Sequence, residues 1–124
     1  MPTAVIRKAE EVVEVHQDSM RRAVEAGVRI AMGTDSGGGP HGTNLEELPL
    51  MAGCGMTPSQ VLAATTSSAA ELLGLDAELG RLAPGFRADV VVVDGDAFDL
   101  DNLAGNIREV WQDGRRAVDN ATKP

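Results

Sequence analysis

The chain of 124 residues is long enough for one domain with a modest core, and its 43% hydrophobic and 24% charged residues are typical of a folded globular protein. A net charge of −8 disfavours nucleic-acid binding, which requires clustered Lys and Arg. There is no apolar run near the roughly 20 residues of a membrane span and no signal-peptide core, so we expect no membrane partner. Cys54 is the single cysteine, which excludes a disulfide framework and a cysteine-based zinc site and favours a cytoplasmic location.

The chain begins with one predicted helix followed by one predicted strand. Apolar residues at spacings of three and four predict an amphipathic helix over residues 5–26, which Gly27 ends. The apolar run at residues 28–32 predicts a β-strand directly afterwards, which is one helix-strand step of an α/β fold. His16 falls on the apolar stripe of the helix, so we interpret it as a packed core or interface histidine rather than a ligand.

The predicted strand leads into Asp35 and a glycine-rich loop over residues 34–43. Active sites of parallel α/β sheets and barrels lie at the carboxyl ends of the strands, so Asp35 is a candidate functional carboxylate. The alternative is that Asp35 caps the loop through backbone amides. The same loop carries His41, which could contact a substrate or orient Asp35; the alternative is a solvated loop histidine.

Two more helices are predicted after this loop. The first covers residues 44–53, with Asn44 as its cap and Glu47 as the capping-box partner, and Cys54 beside its end is interpreted as a small packing residue. The second covers residues 57–74 as one continuous helix. Its start carries a capping box with proline in the first turn, formed by Thr57, Pro58 and Gln60.

After residue 75 the pattern changes to that of a small all-β part. Residues 88–94 are a β-branched run, typical of a strand that is covered on both faces and is central in its sheet. Residues 107–112 predict another strand, and Asp113-Gly114 is typical of a two-residue hairpin turn that leads to a return strand over residues 115–118.

Four segments stand in an order and spacing that is specific when they are taken together, at residues 26–37, 55–74, 79–93 and 110–115. This combination resembles the amidohydrolase superfamily, within it the imidazolonepropionase and Xaa-Pro dipeptidase branch. The resemblance covers essentially the whole chain. It implies an α/β fold in which residues 1–75 are the C-terminal fragment of a metal-dependent amidohydrolase (β/α)8 barrel and residues 76–124 are the C-terminal strands of its small β-sandwich domain.

The resemblance also implies a hydrolase of C–N bonds that holds one or two divalent metals, usually zinc. Of the family's metal ligands, only the aspartate on the eighth barrel strand has a match here, which is Asp35. The resemblance implies that Asp35 binds metal and accepts a proton from the metal-bound water. His41 would face the barrel mouth and contact substrate. Because the chain has two histidines without a His-x-His pair, and a complete barrel takes about 250 residues, we expect the chain to be inactive on its own.

The expected partners are the remainder of the parent barrel or a second copy of this chain, together with a small-molecule amide or dipeptide substrate. The predicted strand over residues 28–32 would leave unpaired edges, and the helix before it an uncovered apolar face, which favours association. The alternative is a free-standing, non-catalytic oligomerisation or binding module derived from an amidohydrolase tail.

Overall fold

The computed structural model describes residues 3–37 and 41–120 of the chain. Helices precede strands along the chain, so the protein combines α and β structure in two consecutive stretches. The helices are α1 at Thr3–Glu25, α2 at Glu47–Gly53 after a 3-10 turn at Asn44–Glu46, α3 at Pro58–Thr65 and α4 at Ser67–Leu72. The strands are β1 at Val90–Val93, β2 at Ile107–Gln112 and β3 at Arg115–Asp119.

Helix α1 ends as the sequence predicts, at a glycine in the left-handed region. Gly27 has φ 70°, and the amide after it, that of Val28, donates to the Ala23 carbonyl at 3.0 Å. Only the last turns of α1 pack against the core, through Met20 and Val24. The earlier turns are exposed to solvent, and none of the described helices is long and apolar enough to span a membrane.

Residues 28–32 do not form the predicted strand in the described part of the chain. A strand exists only where a neighbouring strand accepts and donates backbone hydrogen bonds, and the sheet of this protein contains other residues. The Met32 amide instead donates to the Ala64 carbonyl at 2.9 Å. Ile30 and Met32 pack against the core, so the alternation of side chains is kept although the strand pairing is not.

The two predicted capping boxes differ in outcome. At the start of α3 the box is confirmed, since the Thr57 amide donates to Gln60 Oε1 at 2.8 Å and the Gln60 amide donates to Thr57 Oγ1 at 3.2 Å. At Asn44 the box is wrong, because this residue lies inside the 3-10 turn and Glu47 already begins α2, for which there is no side-chain cap.

The single helix predicted over residues 57–74 is interrupted at Thr66, which has φ −128° and ψ −92°. The hydroxyls of Thr65 and Thr66 both donate to the Leu62 carbonyl, at 2.8 Å and 2.7 Å. Such local bonds from threonine side chains compete with the regular helix ladder. The chain therefore forms two short helices, α3 and α4, where the apolar periodicity predicts one.

The three strands form one antiparallel sheet in the order β1-β2-β3. The valine run at residues 88–94 was predicted to be a central, doubly covered strand, and this is wrong for the described chain. The part of the run that forms a strand is β1, which is an edge strand among the described residues, and Val91 is 54% exposed. A strand becomes central only when neighbours pair with both of its edges, and here β2 alone pairs with β1.

The hairpin between β2 and β3 is confirmed. Asp113 and Gly114 have φ of 50° and 73°, the left-handed pair that a type I′ turn requires. The turn is also bound to the chain before β1: the Gly114 amide donates to the Ala88 carbonyl at 3.0 Å, and the Asp113 amide donates to Asp89 Oδ1 at 2.8 Å. The hairpin thus fixes where β1 begins.

The core is small and aliphatic. Its buried members are Leu48, Met51, Met56, Val61, Ala64, Leu100 and Leu103. The last two lie in the connection between β1 and β2, so they join the sheet to the helices. Among the described residues no polar or charged side chain is buried, which leaves apolar burial as the main source of stability.

Replacement of Leu48 by alanine should lower the free energy of unfolding by about 2–5 kcal/mol, because this side chain is 1% exposed and its removal leaves a cavity. Leu50 lies in the same helix and is 57% exposed, so Leu50→Ala should cost less than about 1 kcal/mol. Urea unfolding followed by circular dichroism measures both variants. Equal losses would contradict the assignment of the core.

Candidate functional site

Asp35 lies one residue before the end of the segment of residues 28–36, and its backbone conformation is unusual. Its φ is 47°, a region that non-glycine residues rarely adopt and in which aspartate and asparagine are over-represented. Its side chain is exposed, whereas Thr34 before it is half-buried. Ile30 and Met32 pack on the core, and the exposed carboxylate of Asp35 follows Met32 by three residues. Non-glycine residues in this region cluster at functional sites.

His41 follows on the far side of the glycine-rich loop. It is exposed, and residues 38–40 between it and the described segment lie outside the described residues. The predicted approach of Asp35 and His41 to one substrate therefore stays a prediction.

A complete metal site is not found in the ranges that the structure describes. No group of three or more His, Cys, Asp or Glu side chains there is arranged to hold a metal ion. A catalytic zinc takes three protein ligands, and Asp35 offers one carboxylate. The described residues therefore do not fit a divalent metal by themselves.

An ion-pair cluster that the sequence did not predict ties the 28–36 segment to the rest of the chain. Glu71 on α4 accepts from Arg29 Nη1 at 2.9 Å through Oε2 and faces Arg81 Nη2 at 3.5 Å through Oε1. The arginine side chains are 86% and 54% exposed, so each pair contributes at most about 1 kcal/mol. The cluster orients the parts of the chain that carry Arg29, Glu71 and Arg81 relative to one another. No local pattern signals a pair separated by 42 residues.

Two open apolar grooves flank the helices. One of about 210 Å³ lies between α1 and α2 and is lined by residues that include Val13, His16, Leu50 and Cys54. His16 is exposed there, so it is not a core histidine in the described chain, and its interpretation as an interface histidine stays a prediction. Cys54 is buried, as its interpretation as a packing residue requires.

The second groove has a volume of about 600 Å³ and lies between the α3–α4 pair and β1. Its apolar lining includes Leu62, Ala69, Leu73, Leu82 and Val91. Leu73 and Leu82 are 71% and 79% exposed, which is unusual for leucine in a protein with so small a core. Both grooves thus leave leucine side chains exposed to solvent.

The left-handed backbone at Asp35 makes a prediction about stability. Asp35→Asn should leave the free energy of unfolding within about 0.5 kcal/mol, because asparagine tolerates this conformation, whereas Asp35→Val should lower it by about 1–2 kcal/mol. Ser36→Val is the control, since Ser36 is outside the positive-φ region. Chemical denaturation measures the free energy of unfolding of all three variants. Equal losses for valine at positions 35 and 36 would contradict the claim that the backbone at Asp35 is strained.

Comparison with known proteins places this chain in context. The sequence profile of the amidohydrolase family matches residues 3–117. The imidazolonepropionase of Deinococcus deserti is 40% identical over 102 residues, a match that covers 77% of this chain and 25% of that protein. The chain therefore spans about a quarter of the length of this relative.

Two solved structures are also similar to this chain. A Xaa-Pro dipeptidase with methionine bound in its active site superposes with a TM-score of 0.76 at 35% identity, covering 81% of this chain and 25% of that one. A prolidase complexed with N-methylphosphonate-L-proline superposes with a TM-score of 0.83 at 26% identity, covering 97% and 30%. Because the family profile matches nearly the whole chain, this protein belongs to the amidohydrolase family.

Proposed function

We propose that this chain is the C-terminal part of a metal-dependent amidohydrolase that hydrolyses C–N bonds in a small amide or dipeptide. Residues 1–75 would belong to its (β/α)8 barrel and residues 76–124 to its small β-sandwich domain. The observation that carries the proposal is the carboxylate of Asp35, held in a left-handed backbone at the end of the 28–36 segment, inside the region that matches the family. The names of the relatives, an imidazolonepropionase and a Xaa-Pro dipeptidase, support the substrate class.

In this proposal Asp35 acts as a base. Its carboxylate accepts a proton from the attacking water and returns it to the leaving amine, which is the proton transfer that hydrolysis of a C–N bond requires. His41 contacts the substrate from the neighbouring loop. The divalent metal, which we expect to be zinc, needs ligands from the rest of the parent, because the described residues supply too few.

The exposed apolar surfaces support the proposal that this chain is part of a larger parent enzyme. Val12 and Val15 on α1 are 60% and 71% exposed. The second groove leaves Leu82 and Val91 open beside the edge of β1 with which no described strand pairs. Monomeric proteins rarely expose apolar surface on this scale. The remainder of the parent would cover these faces.

The free thiol of Cys54 is consistent with the reducing cytoplasm that we expect as the location of the protein.

The isolated chain should show no metal-dependent hydrolysis of dipeptides or cyclic amides. When it replaces the matching quarter of the Deinococcus deserti imidazolonepropionase, the chimera should be active, since the other parts of the site are then present. Asp35→Asn in the chimera should lower kcat by several orders of magnitude, because the amide cannot accept the proton. Asp76→Asn, at an exposed aspartate, is the matched control.

Turnover by the purified chain with added zinc would contradict the need for the rest of the parent. A chimera that folds with full activity after Asp35→Asn would contradict the role of Asp35. An inactive chimera whose circular dichroism and metal content match the host enzyme would favour the free-standing, non-catalytic module.

The isolated chain should also self-associate through its bare apolar faces. Light scattering should give a mass above the 13.0 kDa of one chain. The double replacement of Val12 and Val15 by serine should reduce association, whereas replacement of Glu11 and Glu14 by serine, on the same exposed turns, should not. A monomer at all concentrations tested would show that these faces need no partner.

A further inference from the structure

The interruption between α3 and α4 has a consequence for the 28–36 segment. In a continuous helix the Ala64 carbonyl would accept from the amide four residues later. Here Thr66 leaves the helical conformation, and the Met32 amide donates to the Ala64 carbonyl at 2.9 Å. Asp35 follows Met32 by three residues, so this hydrogen bond anchors the backbone immediately before the candidate carboxylate.

The helix break is itself packed against Gly80. This glycine has φ 82°, and a Cβ on it would lie 2.8 Å from the Thr66 carbonyl oxygen and 2.9 Å from the Cβ of Ala70. Ala70 is 5% exposed, and its amide donates to the same Thr66 carbonyl at 2.9 Å, at the start of α4. Neither neighbour is the end of a flexible side chain. A side chain at position 80 would therefore displace the break.

The cluster of Arg29, Glu71 and Arg81 adds a second connection between the same parts of the chain. Arg81 follows Gly80 directly, and both it and Arg29 of the 28–36 segment approach the Glu71 carboxylate. These exposed pairs are weak, so they orient the parts without holding them. The close contact at Gly80 and the Met32 hydrogen bond provide the rigid connection.

We propose that Gly80 is a positioning residue for Asp35, acting through the helix break at Thr66 and the hydrogen bond from Met32 to Ala64. The proposal rests on the proposed function for its catalytic meaning, but the mechanical connection belongs to this chain alone. A methyl group at position 80 moves the Thr66 backbone, the Ala64 carbonyl moves with it, and the Met32 amide loses its acceptor. The backbone of Asp35 is then no longer held.

The test is amide hydrogen exchange of the isolated chain, followed by NMR. Gly80→Ala should lower the protection of the Met32 amide by about tenfold or more. Gly85→Ala is the matched control, because Gly85 has φ 89° but no atom within 4 Å of its Cβ position. It carries the same backbone strain without the clash. Protection of the Val110 amide in β2 corrects for any change in global stability.

The 13C resonance of the Asp35 carboxyl group is the second readout. It should shift in Gly80→Ala and stay unchanged in Gly85→Ala. Equal Met32 protection in the two variants, or an unchanged Asp35 resonance in Gly80→Ala, would overturn the proposal.

If Gly80→Ala does not fold, Thr66 provides an independent variant. Thr66→Val removes the hydroxyl that donates to the Leu62 carbonyl and keeps the shape of the side chain, whereas Thr66→Ser keeps the hydroxyl. The valine variant should lose Met32 protection and the serine variant should retain it; equal protection would overturn the proposal.

In the active chimera, Gly80→Ala should lower kcat with little change in KM relative to Gly85→Ala, as expected when a reacting group is misplaced and substrate binding is kept. Unchanged kcat would overturn the positioning role. A chimera without activity, in which Met32 protection still depends on Gly80, would count against the proposed function and leave the connection supported.

Discussion

The backbone of residues 28–36 needs hydrogen-bond partners, and the helix break at Thr66 supplies one of them. A buried backbone amide without a partner costs about as much as a lost hydrogen bond, so a half-buried segment with no neighbouring strand must find acceptors elsewhere. The Ala64 carbonyl, 2.9 Å from the Met32 amide, meets that need. This contact and the packing of Ile30 and Met32 on the core together hold the segment that precedes Asp35.

The chain also turns back toward the break. After α4 the Leu75 amide donates to the Ala70 carbonyl at 2.9 Å, and the chain returns so that Gly80 lies against Thr66. The return reaches β1 through residues 81–89 and leaves the groove between the helices and the sheet edge open. The same close contact therefore connects the candidate carboxylate to the small sheet.

Features that depend only on residues close in sequence, such as a capping box or a tight turn, could be predicted from the sequence. The capping box at Thr57 needs only Gln60, and the type I′ turn needs only Asp113 and Gly114, and both form. The break at Thr66 was not predicted because apolar periodicity does not record that two adjacent threonines donate to one carbonyl. The strand over residues 28–32 was not found because a strand requires a second strand, which a local pattern cannot supply.

The valine run also shows that a local pattern does not determine which strands pair. Val90–Val93 has the composition of a doubly covered strand, yet β1 is an edge and Val91 is 54% exposed. Composition reflects the environment in which a sequence was selected, whereas the structure of this chain reflects only the partners that it contains. A chain that matches about a quarter of its relatives is expected to carry such disagreements at its missing contacts.

Asp35 and Gly80 are two of the positions at which the backbone has positive φ. Both have positive φ, and their reasons differ: at Gly80 an added Cβ would meet the Thr66 carbonyl, whereas Asp35 carries a side chain despite its φ of 47°. A glycine at position 35 would relieve the backbone and remove the carboxylate. That the less stable choice stands at position 35, and the glycine at the position where contact demands it, is what selection for a chemical group at Asp35 would produce.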